Sequence, residues 1–175
     1  APDSGSRARR PGRRDTRLRT CACRVYGSTG MGNTFRTLVV LNPKAGSAFG
    51  ARRRSALDAT VASIKSRGGN ALGQLCDVAS RAQVDSLIHF VRERFGALHI
   101  LVNNAGVLIP GTIEETSDEI IDKTLDVNVK GVLYAIRAAT PIMKSQRYGR
   151  IVNVASITGK NGDNTTVFAY GASKG

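Results

Sequence analysis

The sequence predicts an α/β protein: a doubly wound parallel sheet in three layers, incomplete at its ends. Three observations carry this. Apolar runs of strand length recur at Thr37-Leu38-Val39-Val40-Leu41, Leu98 to Val102 and Ile151-Val152-Asn153-Val154, as expected of strands covered on both faces. Between them lie segments whose apolar residues repeat at helical spacing, and strands alternating with helices favour a parallel sheet. Polar or small residues follow the later strands, at Asp77-Val78, Asn103-Asn104-Ala105-Gly106 and Ala155-Ser156. In open α/β sheets that carboxyl edge is where ligands bind.

The chain of 175 residues is long enough for one domain with one core. Its net charge of +13 is unevenly placed. Residues 1–54 hold 13 Lys/Arg against 2 Asp/Glu, a net of +11, and residues 55–175 hold 13 against 11, a net of +2. The excess is concentrated toward the amino terminus. Residues 1–19 have almost no apolar side chains and repel one another, so this basic leader is expected to be disordered. It has no interleaved aromatics for base stacking, and a nucleic-acid partner is not expected. Residues 20–175 are read as one partial domain, regular from about residue 51.

Cys21, Cys23 and Cys76 form no C-x-x-C motif and meet no paired histidines, so neither a disulfide framework nor a metal site is expected. No stretch reaches the roughly 20 apolar residues of a membrane span. A reduced, cytoplasmic protein is the expectation.

The first candidate strand leads into Val25-Tyr26-Gly27-Ser28-Thr29-Gly30-Met31-Gly32. Glycines between a strand and a helix let a backbone approach a pyrophosphate. Thr37 to Leu41 reads as the second parallel strand, yet only Asn33 to Arg36 separate it from Gly32. A parallel crossover needs about a dozen residues, so the first helix is missing. A deletion, a frame error or a joined fragment would each produce that gap.

From Ala51 the pattern is regular. Leu57, Val61 and Ile64 predict a helix that Arg67-Gly68-Gly69-Asn70 stops. Ala71 to Cys76 is a strand ending at Asp77. Ser80-Arg81-Ala82-Gln83 reads as a capping box opening a helix, with Val84, Leu87, Ile88, Val91 and Phe95 as its apolar stripe and Gly96 as its end. His89 and His99 have no second ligand at chelating spacing and are read as structural. Thr116-Ser117-Asp118-Glu119 caps a helical region to about Ser145, with Asn128 inside it and Pro141 expected to kink it. Gly149 to Ser156 is the fifth strand, its apolar run expected to be buried. Lys160 to Thr166 is a polar loop, and Phe168 or Ala169 begins the last helix.

That helix carries Tyr170 and Lys174, four apart and on one face. Bringing a phenol from about 10 to about 7 takes roughly 4 kcal/mol of preference for the phenolate. An ammonium about 4 Å away at an effective dielectric of about 20 supplies about that much. Such a pair can give and take a proton near neutral pH.

Together with Asp77-Val78, Asn103-Asn104-Ala105-Gly106, Asp126-Val127-Asn128-Val129-Lys130-Gly131 and Ser156, the pair brings in a family. From about Ser55 to Gly175 the chain resembles the short-chain dehydrogenases/reductases, most similarly the subgroup of 3-oxoacyl-carrier-protein reductases. The resemblance implies a Rossmann-like fold. It also implies hydride transfer between NAD(P) and a ketone or secondary alcohol, with a 3-oxoacyl thioester among the candidate substrates. By that resemblance Tyr170 is the acid/base and Lys174 favours its phenolate and binds the nicotinamide ribose. Ser156 holds the substrate oxygen, and Asn128 interrupts its helix and holds a water that links Lys174 to solvent. Asp77 and Val78 would meet adenine; Asn104, Ala105 and Gly106 would let the cofactor pass. Gly27, Gly30 and Gly32 fit the later positions of the family's Thr-Gly-x-x-x-Gly-x-Gly loop, with Val25 and Tyr26 where Thr and the first Gly belong.

Asn42-Pro43-Lys44 offers no acid for a ribose hydroxyl, and Arg52, Arg53 and Arg54 follow, so NADP is favoured over NAD. The family domain continues past the lysine into further strands, a substrate lid and oligomer contacts. The polypeptide as written is therefore expected to be an inactive fragment of a protein that is a dimer or tetramer at full length. A non-catalytic nucleotide-binding or regulatory protein on the same fold is the alternative.

Overall fold

A computed structural model describes residues 23–28, 35–41, 50–161 and 166–175. The leader, Gly30, Gly32 and the Asn42-Pro43-Lys44 segment lie outside the described residues. Five strands form one sheet: β1 (Cys23–Ser28), β2 (Phe35–Leu41), β3 (Asn70–Leu75), β4 (Ile100–Asn103) and β5 (Arg150–Asn153). Their order is β3-β2-β1-β4-β5. β2 pairs parallel with β3, and β4 with β5, while β1 runs antiparallel to both its neighbours. Four strands thus share one direction and β1 opposes them.

The inversion answers the gap left by the missing helix. Ser28 pairs with Phe35, so six residues join the two strands, enough for a hairpin and too few for a crossover. The chain keeps β1 in the middle of the sheet by reversing it.

Helices cover both faces. α1 (Gly50–Ser66) lies on β2 and β3. A Cβ on Gly73 of β3 would stand 2.8 Å from Leu57 Cγ of α1, whereas the adjacent Leu72 packs against the core of α2 (Arg81–Phe95) and α4 (Gly131–Ser145). Successive strand residues point to opposite faces. Hence α1 is on one side, α2 and α4 are on the other, and the three layers are present.

The predicted stripe of α2 is its buried face: Val84, Leu87, Ile88, Val91 and Phe95 meet Leu98, Leu101, Ala135, Ala139 and Met143. Gly96 ends the helix in the left-handed region at φ 75°, its N–H donating to Arg92 O at 2.8 Å. Ser80 makes no side-chain cap. Gln83 turns the other way, its Oε1 accepting from Asp77 N–H at 2.9 Å, so the expected capping box is replaced by a brace on the end of β3.

The long helical region is three pieces: α3 (Asp118–Leu125), a π-helical turn (Asp126–Lys130) and α4. The break falls at Asn128 and not at Pro141, which sits inside α4. Proline there removes one helical hydrogen bond, and the helix continues to Ser145. β5 also departs from expectation. Ile151 is 38% and Val152 48% exposed, because β5 is the edge strand, paired only with β4. After it come α5 (Ile157–Asn161) and α6 (Phe168–Ala172).

Candidate functional site

The carboxyl ends of β3, β4 and β5 point to the same end of the sheet, and all the predicted site residues from Asp77 onward follow from those ends or from the helices behind them. Asn103 closes β4 and Asn153 closes β5. They are register partners, and Asn103 Nδ2 donates to Asn153 Oδ1 at 2.9 Å. The ladder runs one step further, with Val154 N–H donating to Asn103 O at 2.9 Å.

Asn128 is the hub of this end. It is 4% exposed, and the π-turn aims it at the loop after β4, where its Oδ1 accepts from Val107 N–H at 2.8 Å. Its Nδ2 donates to Val107 O at 3.0 Å and to Ser173 Oγ at 2.8 Å. A π-turn adds a residue to the helical repeat and so re-aims one side chain. Here that side chain ties the β4 loop to α6.

Gly106 lies directly beside this hub. A Cβ added there would stand 3.3 Å from Asn128 Oδ1 and 3.9 Å from Lys174 Nζ. Lys174 donates from Nζ to Val154 O at 2.8 Å, and the same ammonium is 5.9 Å from the centre of the Tyr170 ring. Lys174, Tyr170, Gly106 and Asn128 are therefore gathered, with Asn104 and Ala105 on the same loop. Ser156 uses its hydroxyl locally: Oγ donates to Thr158 Oγ1 and accepts from Thr158 N–H, both at 3.3 Å.

Asp77 is placed at the same end but turned inward. It is 1% exposed, and Oδ1 accepts from Ala79 N–H at 3.1 Å. Its carbonyl accepts from Ser80 N–H at 3.0 Å. The side chain organises the turn after β3, and a bond from it to adenine requires that turn to open. Val78 is buried in the core, and its carbonyl lies 3.0 Å from where a Cβ of Gly131 would sit. Next to Asp77, burial first and the neighbouring carboxylate second push the Cys76 thiol up to about 11.

The glycine-rich stretch is displaced from this end. Tyr26 pairs with Ile100, so Gly27 lies beyond the amino end of β4, about 13 Å of strand from Asn103 at the usual rise per residue. The hairpin that stands in for the missing helix carries Gly27 to the opposite side. A nicotinamide cofactor thus fits the open backbone at Gly106 and the ammonium of Lys174, while Gly27 is not placed to receive its phosphates.

Two contributors escaped the sequence pattern. Ser173 sits between Tyr170 and Lys174 and links their turn to Asn128. Gly159 of α5 faces the carbonyl of Lys174 so closely that any side chain there would collide with it. Ser173 bonds to Tyr170 O by an ordinary local back-bond, but its link to Asn128 spans 45 residues and leaves no periodic trace. His89 pairs with Glu93 on the surface at 3.0 Å and His99 packs on the Tyr148 ring, structural places for both. Among the described residues there is no group of three metal-ligating side chains, and no helix is long and apolar enough to cross a membrane.

Polar side chains gathered where parallel strands end, with helices on both faces of the sheet, are the arrangement of a doubly wound α/β protein. A family model described as short chain dehydrogenase matches residues 24–175, and the chain belongs to the short-chain dehydrogenase/reductase family. An uncharacterized oxidoreductase of Thermotoga maritima is 49% identical over 100 residues, covering 57% of this chain and 39% of the relative. A Streptomyces virginiae protein, named as the provisional ketoacyl reductase of a monensin polyketide synthase, is 38% identical over 116 residues, covering 65% and 44%. The crystal structure of an NAD+-bound xylitol dehydrogenase superposes with TM-score 0.66 at 34% identity, over 69% of this chain and 46% of that one. The chain spans less than half the length of these relatives.

Proposed function

We propose that the full-length protein is an NAD(P)-dependent oxidoreductase that interconverts a ketone and a secondary alcohol, with a 3-oxoacyl thioester as the first substrate class to try. The observation that carries this reading is the placement of the Lys174 ammonium 5.9 Å from the Tyr170 ring, beside Gly106 and Asn128. Family membership and the names of the Streptomyces and xylitol dehydrogenase relatives support it. The nicotinamide cofactor supplies the hydride. Tyr170 donates a proton to the carbonyl oxygen in reduction and recovers it in oxidation. Lys174 places a positive charge near the developing phenolate and reaches toward the nicotinamide ribose. Ser156 steadies the substrate oxygen once its hydroxyl turns from Thr158. Asn128 holds the β4 loop against α6 so that these groups keep their spacing.

NADP is the proposed cofactor, on the basic residues Lys44 and Arg52 to Arg54 and on Asn42 where an acid would favour NAD. The test is NADPH- and NADH-dependent reduction of a small 3-oxo ester and a 3-oxoacyl thioester by the full-length protein. Tyr170→Phe should lower kcat at least about a hundredfold with cofactor affinity kept. Wild-type turnover by that variant would overturn the assignment.

A further inference from the structure

We propose that Ser173 is a positioning residue for the Tyr170 and Lys174 pair: its single hydroxyl locks the Asn128 amide to the turn that carries both groups. The inference rests on the oxidoreductase reading for its kinetic consequences and on hydrogen bonds alone for its structural ones. A serine hydroxyl has one proton and two lone pairs. Here the proton goes to Tyr170 O at 2.7 Å, and a lone pair accepts from Asn128 Nδ2 at 2.8 Å.

Both Nδ2 protons of Asn128 are committed. Its Oδ1 takes the Val107 N–H, and the two Nδ2 protons go to Val107 O and to Ser173. Rotating the amide by half a turn would set Oδ1 against Val107 O and Nδ2 against Val107 N–H, so its direction is fixed. Removing the Ser173 hydroxyl leaves one N–H of a side chain 4% exposed without an acceptor, which costs desolvation and loosens the remaining two bonds. Lys174 follows Ser173 directly and Tyr170 lies three residues before it, so any shift at Ser173 is passed to both. Serines in helices commonly back-bond to the carbonyl three or four residues earlier with no further role. The acceptance from Asn128 is what separates this serine from that ordinary case.

The experiment compares Ser173→Ala, Ser173→Thr and wild type in the full-length protein, with NADPH and a small 3-oxo ester as probes. Ser173→Ala should lower kcat about tenfold while KM for the ester stays within about twofold, the pattern of an interaction felt in the transition state. Ser173→Thr, which keeps the hydroxyl, should return kcat to within about threefold of wild type. In the cofactor-free protein, hydrogen exchange at the Val107 amide should quicken about tenfold in Ser173→Ala and recover in Ser173→Thr. If the alanine variant fails to fold, Ser173→Cys keeps a side chain of the same branching, slightly larger, and weakens the acceptor, and the same two readouts apply.

Unchanged kcat and unchanged Val107 exchange in the alanine variant would overturn the proposal, as would equal losses in the alanine and threonine variants. Tyr170→Phe at wild-type rate would instead remove the oxidoreductase reading, and Val107 exchange would then decide the role of Ser173 by itself.

Discussion

β1 and β4 lie side by side in the sheet, yet β1 is joined to β2 by a hairpin and β4 is reached from β3 through a helical crossover. Pairing places each strand next to its neighbour in both cases. The length of the connection sets the direction: six residues return β1 on its partner, whereas the crossover through α2 delivers β4 parallel to β3. The consequence is functional. The co-directional strands β3, β4 and β5 send their following loops, with Asp77, Gly106, Asn128, Tyr170 and Lys174, to one end of the sheet, and the inverted strand sends Gly27 to the other. Strand order alone does not build a nucleotide site; the loop must also emerge on the right side.

That contrast is sharpest where the site half is pinned. Asn128→Ala removes two buried hydrogen bonds and one part-buried one, and leaves Val107 N–H and O unmatched. A loss of about 3 kcal/mol of stability is expected, read as a drop in denaturant midpoint. A loss below about 1 kcal/mol would mean that the β4 end does not depend on this hub. Gly159→Ala comes next. Its methyl group would enter the space of the Lys174 carbonyl, and relief by moving α6 away from α5 should cost about 1–3 kcal/mol. NADPH titration should show weaker binding in this variant, because the displaced segment ends in Lys174.

Cys76 provides a smaller, pH-dependent check on how tightly the β3 end is closed. Its folded value, raised from 9.0 to about 11, exceeds that of a free thiol. Between these values the unfolded chain has released a proton that the folded chain still holds. The contribution is present in full below pH 9 and is lost as pH rises toward about 11. Stability measured from pH 8 to 10.5 should fall across that window in the native chain and fall less in Cys76→Ala. At pH 8 the buried thiol should react with iodoacetamide far more slowly than in the unfolded chain. Rapid native labelling would show the β3 end to be open.

The same division explains what could be read from residues alone. The stripe of α2, the stop at Gly96 and the apolar run into β4 are short-range patterns, and each lies where the periodicity puts it. The gap before Phe35 is legible too, as a missing crossover, and the hairpin is its physical resolution. Other features depend on distant partners. Gln83 satisfies Asp77 and not its own helix, because the Ser80 N–H that a capping box would use is already bonded to Asp77 O. The helical region breaks at Asn128, as the family resemblance implied, but the partners of its amide, Val107 and Ser173, leave no local pattern, and Pro141 is absorbed within α4 at the loss of one bond. β5 reads as buried from its composition, but its exposure is set by which strands and helices cover it.

The smallest expected effect separates the two regions most directly. Gly106 and Gly27 both belong to segments that the family resemblance assigns to the cofactor, but only Gly106 faces Asn128 and Lys174. A methyl group at Gly106 would sit 3.3 Å from Asn128 Oδ1 and narrow the path over the loop. Gly106→Ala should therefore weaken NADPH binding about tenfold, equivalent to about 1.4 kcal/mol, measured by fluorescence titration. Gly27→Ala should leave the dissociation constant within about twofold, since β1 carries that position past the amino end of β4, and any change should register only as a strand-propensity effect on stability. Equal losses of affinity in the two variants would mean that β1 runs parallel to β4 when cofactor is bound, with the glycine stretch returned to the site end.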